Sequence, residues 1–413
     1  MNYSTKEGNK NMIHITENSK PDIHQLPFEL VERKGVGHPD TICDAIAERA
    51  SVYYSRYFLD HYEKVAHHWF DKVMLIGGCA DFKFGEGKIT APYRVIFAGK
   101  AAKTYKGVSI PLDRILWSAA DDVLSEVLTG FEASEHLTVI NEIVDYQGAG
   151  RLNSRYQPKS ENDLVSLDHN LSVSNDCNLL SAYAPLSNLE RLVLHTEQYL
   201  NGEKFKTNHP ETGWDIKIVG SREYNTYKLL INIPFLAQRV SSVDEYFACK
   251  AEITHEIEHF ISEAFDFQVE LSVNPQDKNQ HYYLTVLGSV ADTGDVGVVG
   301  RGNRINGLIT PMRSMSIEAP AGKNPMDHTG KIYGVLAQKL ALKIYDYIEK
   351  AVEVHVFTSK EAPMNEPDHI SVQISGWVES QHEKEEITQM ICDCLNEVNS
   401  ISKNLIINGE IMW

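Results

Sequence analysis

The sequence predicts an α+β fold of three units, and three observations point there. Strand-like apolar runs alternate with helix-like amphipathic stretches in each third of the chain. The 413 residues are 42% hydrophobic, enough for two or three packed domains. No apolar run reaches the roughly 18 residues of a membrane helix.

The polar stretch at residues 1–27 lacks the apolar core of a secretory signal and is expected to be a flexible tail. The first unit spans 28–138. Val31–Asp40 reads as a turn into a helix that Asp40 caps, with Ile42, Ile46, Ala50 and Tyr53 at helical spacing. Val73–Gly78 and Tyr93–Ala98 read as strands, and Leu112–Leu128 as an amphipathic helix.

The second unit spans 139–270. Residues 147–168 are rich in Gly, Asn, Ser and Asp and read as a long mobile loop of the kind that forms lids. A helix is expected at Asn188–Leu200, strands at Asp215–Gly220 and Tyr227–Ile233, and a helix at Val243–Ala264. The third unit, 271–413, holds a strand at His281–Leu287, a phosphate loop, a helix at Gly330–Lys350, a strand at His369–Ser375 and a helix at Lys384–Asn396. No residue-level repeat stands out.

The net charge of −18 argues against a nucleic-acid partner. Basic residues clustered within so acidic a chain point to one focused anion site. The six cysteines are scattered with no CxxC pair, which fits reduced thiols in a cytoplasmic enzyme.

The chemistry concentrates in Gly294–Arg304 and Gly322–Pro325. Glycines let backbone N–H groups approach a ligand, and Arg301, Arg304 and Lys323 add charged donors for phosphate oxygens. Asp295 at the head of this loop can hold magnesium. The spacing matches neither a Walker loop nor a dinucleotide fingerprint. Gly37-His38-Pro39-Asp40 at a helix start is a second anion site, with His38 facing a phosphate oxygen and Asp40 a cation, or it is simply a cap. In His67-His68-Trp69-Phe70-Asp71 the two imidazoles point to opposite faces of a strand and do not share a metal easily; the segment either walls a pocket or packs around Trp69. Phe84–Lys88 cradles phosphate or closes a hairpin. Asp176 faces a ligand or sits in an ordinary turn. No nucleophile elbow is present.

These blocks resemble the archaeal-type S-adenosylmethionine synthetases (methionine adenosyltransferases). The resemblance rests on Val31–Asp44, Tyr183–Ser187, Glu190–Leu194, Gly300–Pro311 and Gly322–Tyr333, and runs from about residue 28 to the C-terminus. It implies three interleaved α/β domains with pseudo-threefold symmetry. It also implies a homodimer with active sites between subunits, two magnesium ions per site and room for potassium. The implied reaction joins the sulfur of L-methionine to the ribose 5′ carbon of ATP, and the released triphosphate is hydrolysed. His38, Lys323 and Arg301 would be catalytic. Gly37, Arg304, Gly300, Asn303, Lys331 and Asp176 would bind triphosphate. His68, Trp69, Asp71, Gln147 and Asn178 would line the substrate pocket, and Asp40 and Asp295 would hold metal. A thioether sulfur carries no proton, so no general base is needed.

The chain departs from the family pattern where His-His-Asn-Thr-Asp becomes His67–Asp71 with Trp69 and Phe70, and where Gly-Asp-Asp-Gly becomes Gly294–Gly297 with Val296. Asp327 stands where the family's Gly-Lys-Asn-Pro-Val-Asn run ends in Asn. Asp145–Ala149 stands in place of an Ile-Gly-Gln-Gly-Ser loop, and Cys177 and Asn178 follow Asp176 in place of Thr-Ser. These departures raise an alternative: a related ATP-dependent adenosyl or nucleosidyl transferase with another sulfur acceptor or nucleotide. A third reading, a non-catalytic nucleotide-binding subunit, sits poorly with the retention of His38, Asp40, Asp295, Arg301 and Lys323.

Overall fold

Three copies of one topological unit build the chain, and each lends its first strand to the sheet of another. The computed structural model describes residues 12–147, 155–167, 173–378, 380–409 and 412–413. The sheet strands are β1 (Ile13–Asn18), β2 (Phe28–Lys34), β3 (His68–Ile76), β4 (Tyr93–Ala101), β5 (Leu137–Val144) and β6 (Asn178–Ala184). They continue with β7 (Lys217–Glu223), β8 (Thr226–Asn232), β9 (Val269–Val273), β10 (Val296–Val298), β11 (Val352–Thr358) and β12 (His369–Ser375). The main helices are α1 (Pro39–Tyr62), α2 (Leu112–Val127), α3 (Asn188–Leu200), α4 (Val243–Ala264), α5 (Thr329–Ile348), α6 (Gln381–Asn396) and α7 (Val398–Ile407).

The strands form three four-stranded sheets, in the orders β10-β3-β4-β5, β9-β8-β7-β2 and β1-β12-β11-β6. Each sheet has a central antiparallel hairpin, an antiparallel strand on one edge and a parallel strand on the other. The chain order of a unit is strand, helix, hairpin, helix, strand. It reads β2-α1-β3-β4-α2-β5, then β6-α3-β7-β8-α4-β9, then β10-α5-β11-β12-α6, and β1 at the N-terminus supplies the last strand of the third. In each unit the first strand crosses over: β2 to the second sheet, β6 to the third, β10 to the first.

Burial alternates along the strands, as in β4, so one face of each sheet meets helices. Three apolar cores result. Ile42, Phe70 and Leu116 belong to the first, Val31, Leu189 and Ile257 to the second, and Leu180, Leu336 and Ile391 to the third.

This arrangement corrects several expectations. The crossing strands β2, β6 and β10 pair outside the contiguous spans 28–138, 139–270 and 271–413, an exchange that the interleaved domains implied by the resemblance allow. The expected tail is ordered from Ile13 to Asn18, whose backbone completes the third sheet beside β12. His281–Leu287 keeps only a two-residue strand, Leu284–Thr285. Phe84–Lys88 closes a hairpin between Cys79–Lys83 and Glu86–Ala91. Part of the expected 147–168 loop lies outside the described residues; Val165 within it pairs with Val65 through two backbone bonds of 2.8 Å.

Candidate active site

Helix α1 starts after the turn Gly35-Val36-Gly37. His38 is its N-cap: the imidazole Nδ1 accepts the Asp40 N–H at 3.1 Å. Asp40, expected as the cap, lies in the first turn instead. From there Asp40, Asp44, Glu48 and Ser51 follow at spacings of four, four and three, which puts them on one helix face. All four are buried.

This stripe supports the chain between β10 and α5, which has no helix or strand of its own. A buried irregular segment must find partners for its backbone groups, and the stripe provides them. Asp40 Oδ1 accepts from Val298 N (2.9 Å), Asp44 Oδ1 from Gly300 N (2.9 Å) and Glu48 Oε2 from Gly322 N (3.0 Å). Ser51 Oγ lies 3.1 Å from the Lys323 carbonyl. The contact is tight enough to demand glycine at 297, where an added Cβ would lie 2.0 Å from the Pro39 carbonyl oxygen.

At the N-terminal end of the stripe the structure gathers Gly37, His38, Asp40, Gly300, Arg301, Asn303 and Arg304. Lys34, absent from the sequence-based candidates, donates to Asp40 Oδ2 (2.9 Å) and to the Arg301 carbonyl (2.7 Å). Asn303 binds both backbone groups of Lys34, at 3.0 and 2.8 Å. Arg304 donates to the Gly300 carbonyl at 3.0 Å, and its buried Nε has no partner. Burial pushes His38 down to about 4, with Lys34 and Arg301 lowering it further against Asp40. His38 is therefore neutral at pH 7, and with Nδ1 accepting, Nε2–H is a donor. Burial also raises Asp44 to about 7, against the Gly300 N–H and Arg304, which lower it.

Lys323 lies further along. Its ammonium meets Asp71 Oδ2 and Glu318 Oε1, each at 2.6 Å. An antiparallel bridge joins its backbone to Trp69, and Phe70 N donates to the Gly322 carbonyl at 2.7 Å. Beside the start of α5, Thr329 Oγ1 donates to Asn178 Oδ1 and approaches the carbonyl of exposed Asp176 at 3.4 Å. Gln147 is exposed beyond β5. Asp295 is exposed just ahead of β10, and its charge helps burial raise the carboxyl of Asp215 to about 7.

Two candidates are deeply buried. Lys331 has a fully buried side chain, and its ammonium is held by both Glu48 oxygens at 2.7 and 2.6 Å. His68 points into the core: Nδ1–H donates to the Ala66 carbonyl (3.0 Å) and Nε2 accepts from Ser51 (2.7 Å). Burial lowers it to about 3. Its neighbour His67 turns the other way and pairs with Asp327 at 2.8 Å.

Among the described residues no three His, Cys, Asp or Glu side chains converge as a metal cage. Asp40 and Asp295 stand apart, because Val298, which binds Asp40, is three strand residues (about 10 Å) beyond Asp295. Single separated carboxylates suit magnesium that arrives on a polyphosphate, where phosphate oxygens and water complete the shell. The fit is looser at Asp40, whose oxygens already accept from Lys34 and Val298.

The profile of the S-adenosylmethionine synthetase (AdoMet synthetase) family matches residues 11–410. The chain belongs to that family. An S-adenosylmethionine synthase of Pyrobaculum calidifontis is 40% identical over 419 aligned positions, covering 97% of this chain and 99% of that protein. A probable S-adenosylmethionine synthase of Aquifex aeolicus is 34% identical, covering 96% and 98%. An unusual S-adenosylmethionine synthetase structure from Campylobacter jejuni shares the fold, with a TM-score of 0.57 at 13% identity, over 91% of this chain and 93% of that one. Within this S-adenosylmethionine synthetase chain, Lys34, Asp44 and Glu48 lie among the candidate site residues and were absent from the sequence-based set. The i, i+4 spacing of Asp40, Asp44 and Glu48 along α1 carried a signal for the last two.

Proposed function

We propose that the chain is an S-adenosylmethionine synthase acting on ATP and L-methionine. The observation that supports this reading, beside full-length family membership, is that His38, Arg301 and Lys323, drawn from distant segments, are set out along one face of α1. In the reaction a sulfur lone pair of methionine forms the bond to C5′ of ATP. The C5′–O bond breaks, and its electrons leave with the triphosphate, which is then hydrolysed to phosphate and diphosphate. The sulfonium product needs no proton transfer. The barrier lies in charge gathering on the leaving group, which preorganised donors stabilise. Neutral His38 Nε2–H, Arg301 and Lys323 supply these donors, with the Gly300 region cradling phosphate. Magnesium, held by Asp40 and Asp295, would neutralise part of that charge.

We further propose a cytoplasmic homodimer with sites between subunits. Exposed Phe28 and Leu30, alternating with buried Glu29 and Val31, give the outer face of the second sheet an apolar surface of the kind a partner subunit covers. No helix among the described residues is long and apolar enough to cross a membrane.

The deciding assay incubates the protein with ATP, methionine, magnesium and potassium. S-adenosylmethionine is followed by mass and phosphate release in parallel; phosphate release without a sulfonium product would overturn the reading. Asp295→Asn is expected to raise the magnesium concentration for half-maximal rate about tenfold, by analogy with weakened metal ligation. A magnesium titration that superimposes on the wild type would remove Asp295 from the metal site.

A further inference from the structure

Asp215 is a buried carboxylate with no part in the chemistry described above, and it joins two segments that lead to the candidate site. It lies in residues 213–216, just ahead of β7. The backbone there supports the turn before His38: Gly37 N donates to the Trp214 carbonyl at 3.1 Å and Gly35 N to the Ile216 carbonyl at 2.7 Å. The Asp215 side chain holds a different segment, the one that ends at Asp295. Its Oδ2 accepts from Val290 N (2.9 Å), Ser289 Oγ (3.1 Å) and Tyr283 Oη (3.4 Å). The two backbones touch. Asp215 N donates to the Gly288 carbonyl at 3.2 Å, and a Cβ added at Gly213 would lie 2.4 Å from Gly288 Cα.

From Ser289 the chain makes one short 3-10 helix, Val290–Thr293, passes through Gly294 in the left-handed conformation and reaches Asp295. This turn is closed by its own bonds: Ser289 Oγ accepts from Ala291 N at 3.3 Å, and Gly294 N donates to the Ala291 carbonyl at 3.2 Å. A closed turn gripped at its first amide carries its last residue with it. Downstream, Asp40 accepts from Val298 N at 2.9 Å. Asp295 is thus held between two carboxylate anchors, Asp215 before it and Asp40 after it. Bonds to an ionised acceptor are stronger than neutral ones, and a buried donor that loses its acceptor is costly. Burial raises the Asp215 carboxyl to about 7 against the Val290 N–H, and the charge of Asp295 adds to the rise, so the two carboxylates are close enough to act on each other.

Resting on the S-adenosylmethionine synthase reading and on Asp295 as a magnesium ligand, we propose that Asp215 is a positioning residue for that ligand. It touches neither substrate nor metal. It holds the turn at residues 289–294 against the turn at residues 35–37, so that Asp295 and His38 meet one polyphosphate at a fixed separation.

The test is a double-mutant cycle between Asp215→Leu and Asp295→Asn. Magnesium binding with adenylyl imidodiphosphate is measured by calorimetry, and turnover by sulfonium product. Asp215→Leu alone is expected to raise the magnesium concentration for half-saturation about tenfold, the scale for losing a group that orients a metal ligand. Adding Asp295→Asn to it raises that concentration less than about twofold further, because the first change acts through the second residue. Asp215→Asn, whose amide oxygen still accepts from Val290 N and Ser289 Oγ, returns to within about threefold of wild type. If Asp215→Leu folds poorly, Ser289→Ala removes one of the donors and shifts the same titration in the same direction. Effects that add across the cycle would give Asp215 a general structural role and overturn the proposal. So would an Asp215→Leu or an Asp295→Asn protein that binds magnesium like the wild type. Coupled magnesium binding without sulfonium product would uphold the positioning role and overturn the reaction instead.

Discussion

Lys323→Ala is expected to lower kcat about a hundredfold or more, on the scale of deleting one preorganised donor from an oxyanion site. The structure fixes this ammonium between Asp71 and Glu318, each at 2.6 Å, with a nearly buried side chain. Burial alone would lower its pKa, but Asp71 with Glu318 raises it, so the group stays charged. A cation held in place before the reaction needs no reorganisation when charge moves onto the triphosphate. Removing it leaves Asp71 Oδ2 with only the exposed Lys72 ammonium at 2.6 Å, and Asp71 Oδ1 has no partner. The variant is therefore expected to lose stability as well, and Lys323→Met with Asp71→Asn separates the two effects. That pair removes both charges and should recover much of the stability without recovering kcat. Near-normal turnover in Lys323→Ala, at saturating ATP and methionine, would take Lys323 out of the site.

The sequence made the anion-binding blocks legible because their glycines and basic residues lie close together along the chain. It hid the polar partners that shape them. Lys331 follows a Gly-Lys-Asn-Pro run and reads as a phosphate ligand, yet its partner Glu48 is 283 residues away. His67 and His68 were readable as facing opposite ways, but not which of them pointed into the core. The strand β2 was read from Val31 onward as part of a turn, since Glu32-Arg33-Lys34 is a run of charges, and the partners of Glu29 and Arg33 lie far along the chain. Both charges are buried and paired, Glu29 with Arg222 and Arg33 with Glu197. The threefold topology was implied by the resemblance, but its strand exchange could not be read from the order of elements alone. Each unit's first strand pairs in another unit's sheet, so β2, β6 and β10 lie far along the chain from the hairpins they join.

The second large effect is expected in stability, at Lys331. A buried ion pair is worth little against a neutral replacement, but breaking one from one side strands the other charge. Lys331→Met alone leaves Glu48 charged and buried, at a cost of about 3–5 kcal/mol, read as a lower urea midpoint. Adding Glu48→Gln removes the stranded charge. Its amide oxygen can still accept the Gly322 N–H that Glu48 accepts at 3.0 Å, which keeps Lys323 in register. The double variant is therefore expected to recover most of the stability and to turn over within a few-fold of wild type. The single variant should show that its loss lies in folding, with KM for ATP little changed in the folded fraction. A Lys331→Met protein as stable as wild type but with a strongly raised KM for ATP would show the opposite. It would mean that the ammonium leaves Glu48 for the triphosphate when nucleotide binds, and that Lys331 belongs to the phosphate site after all.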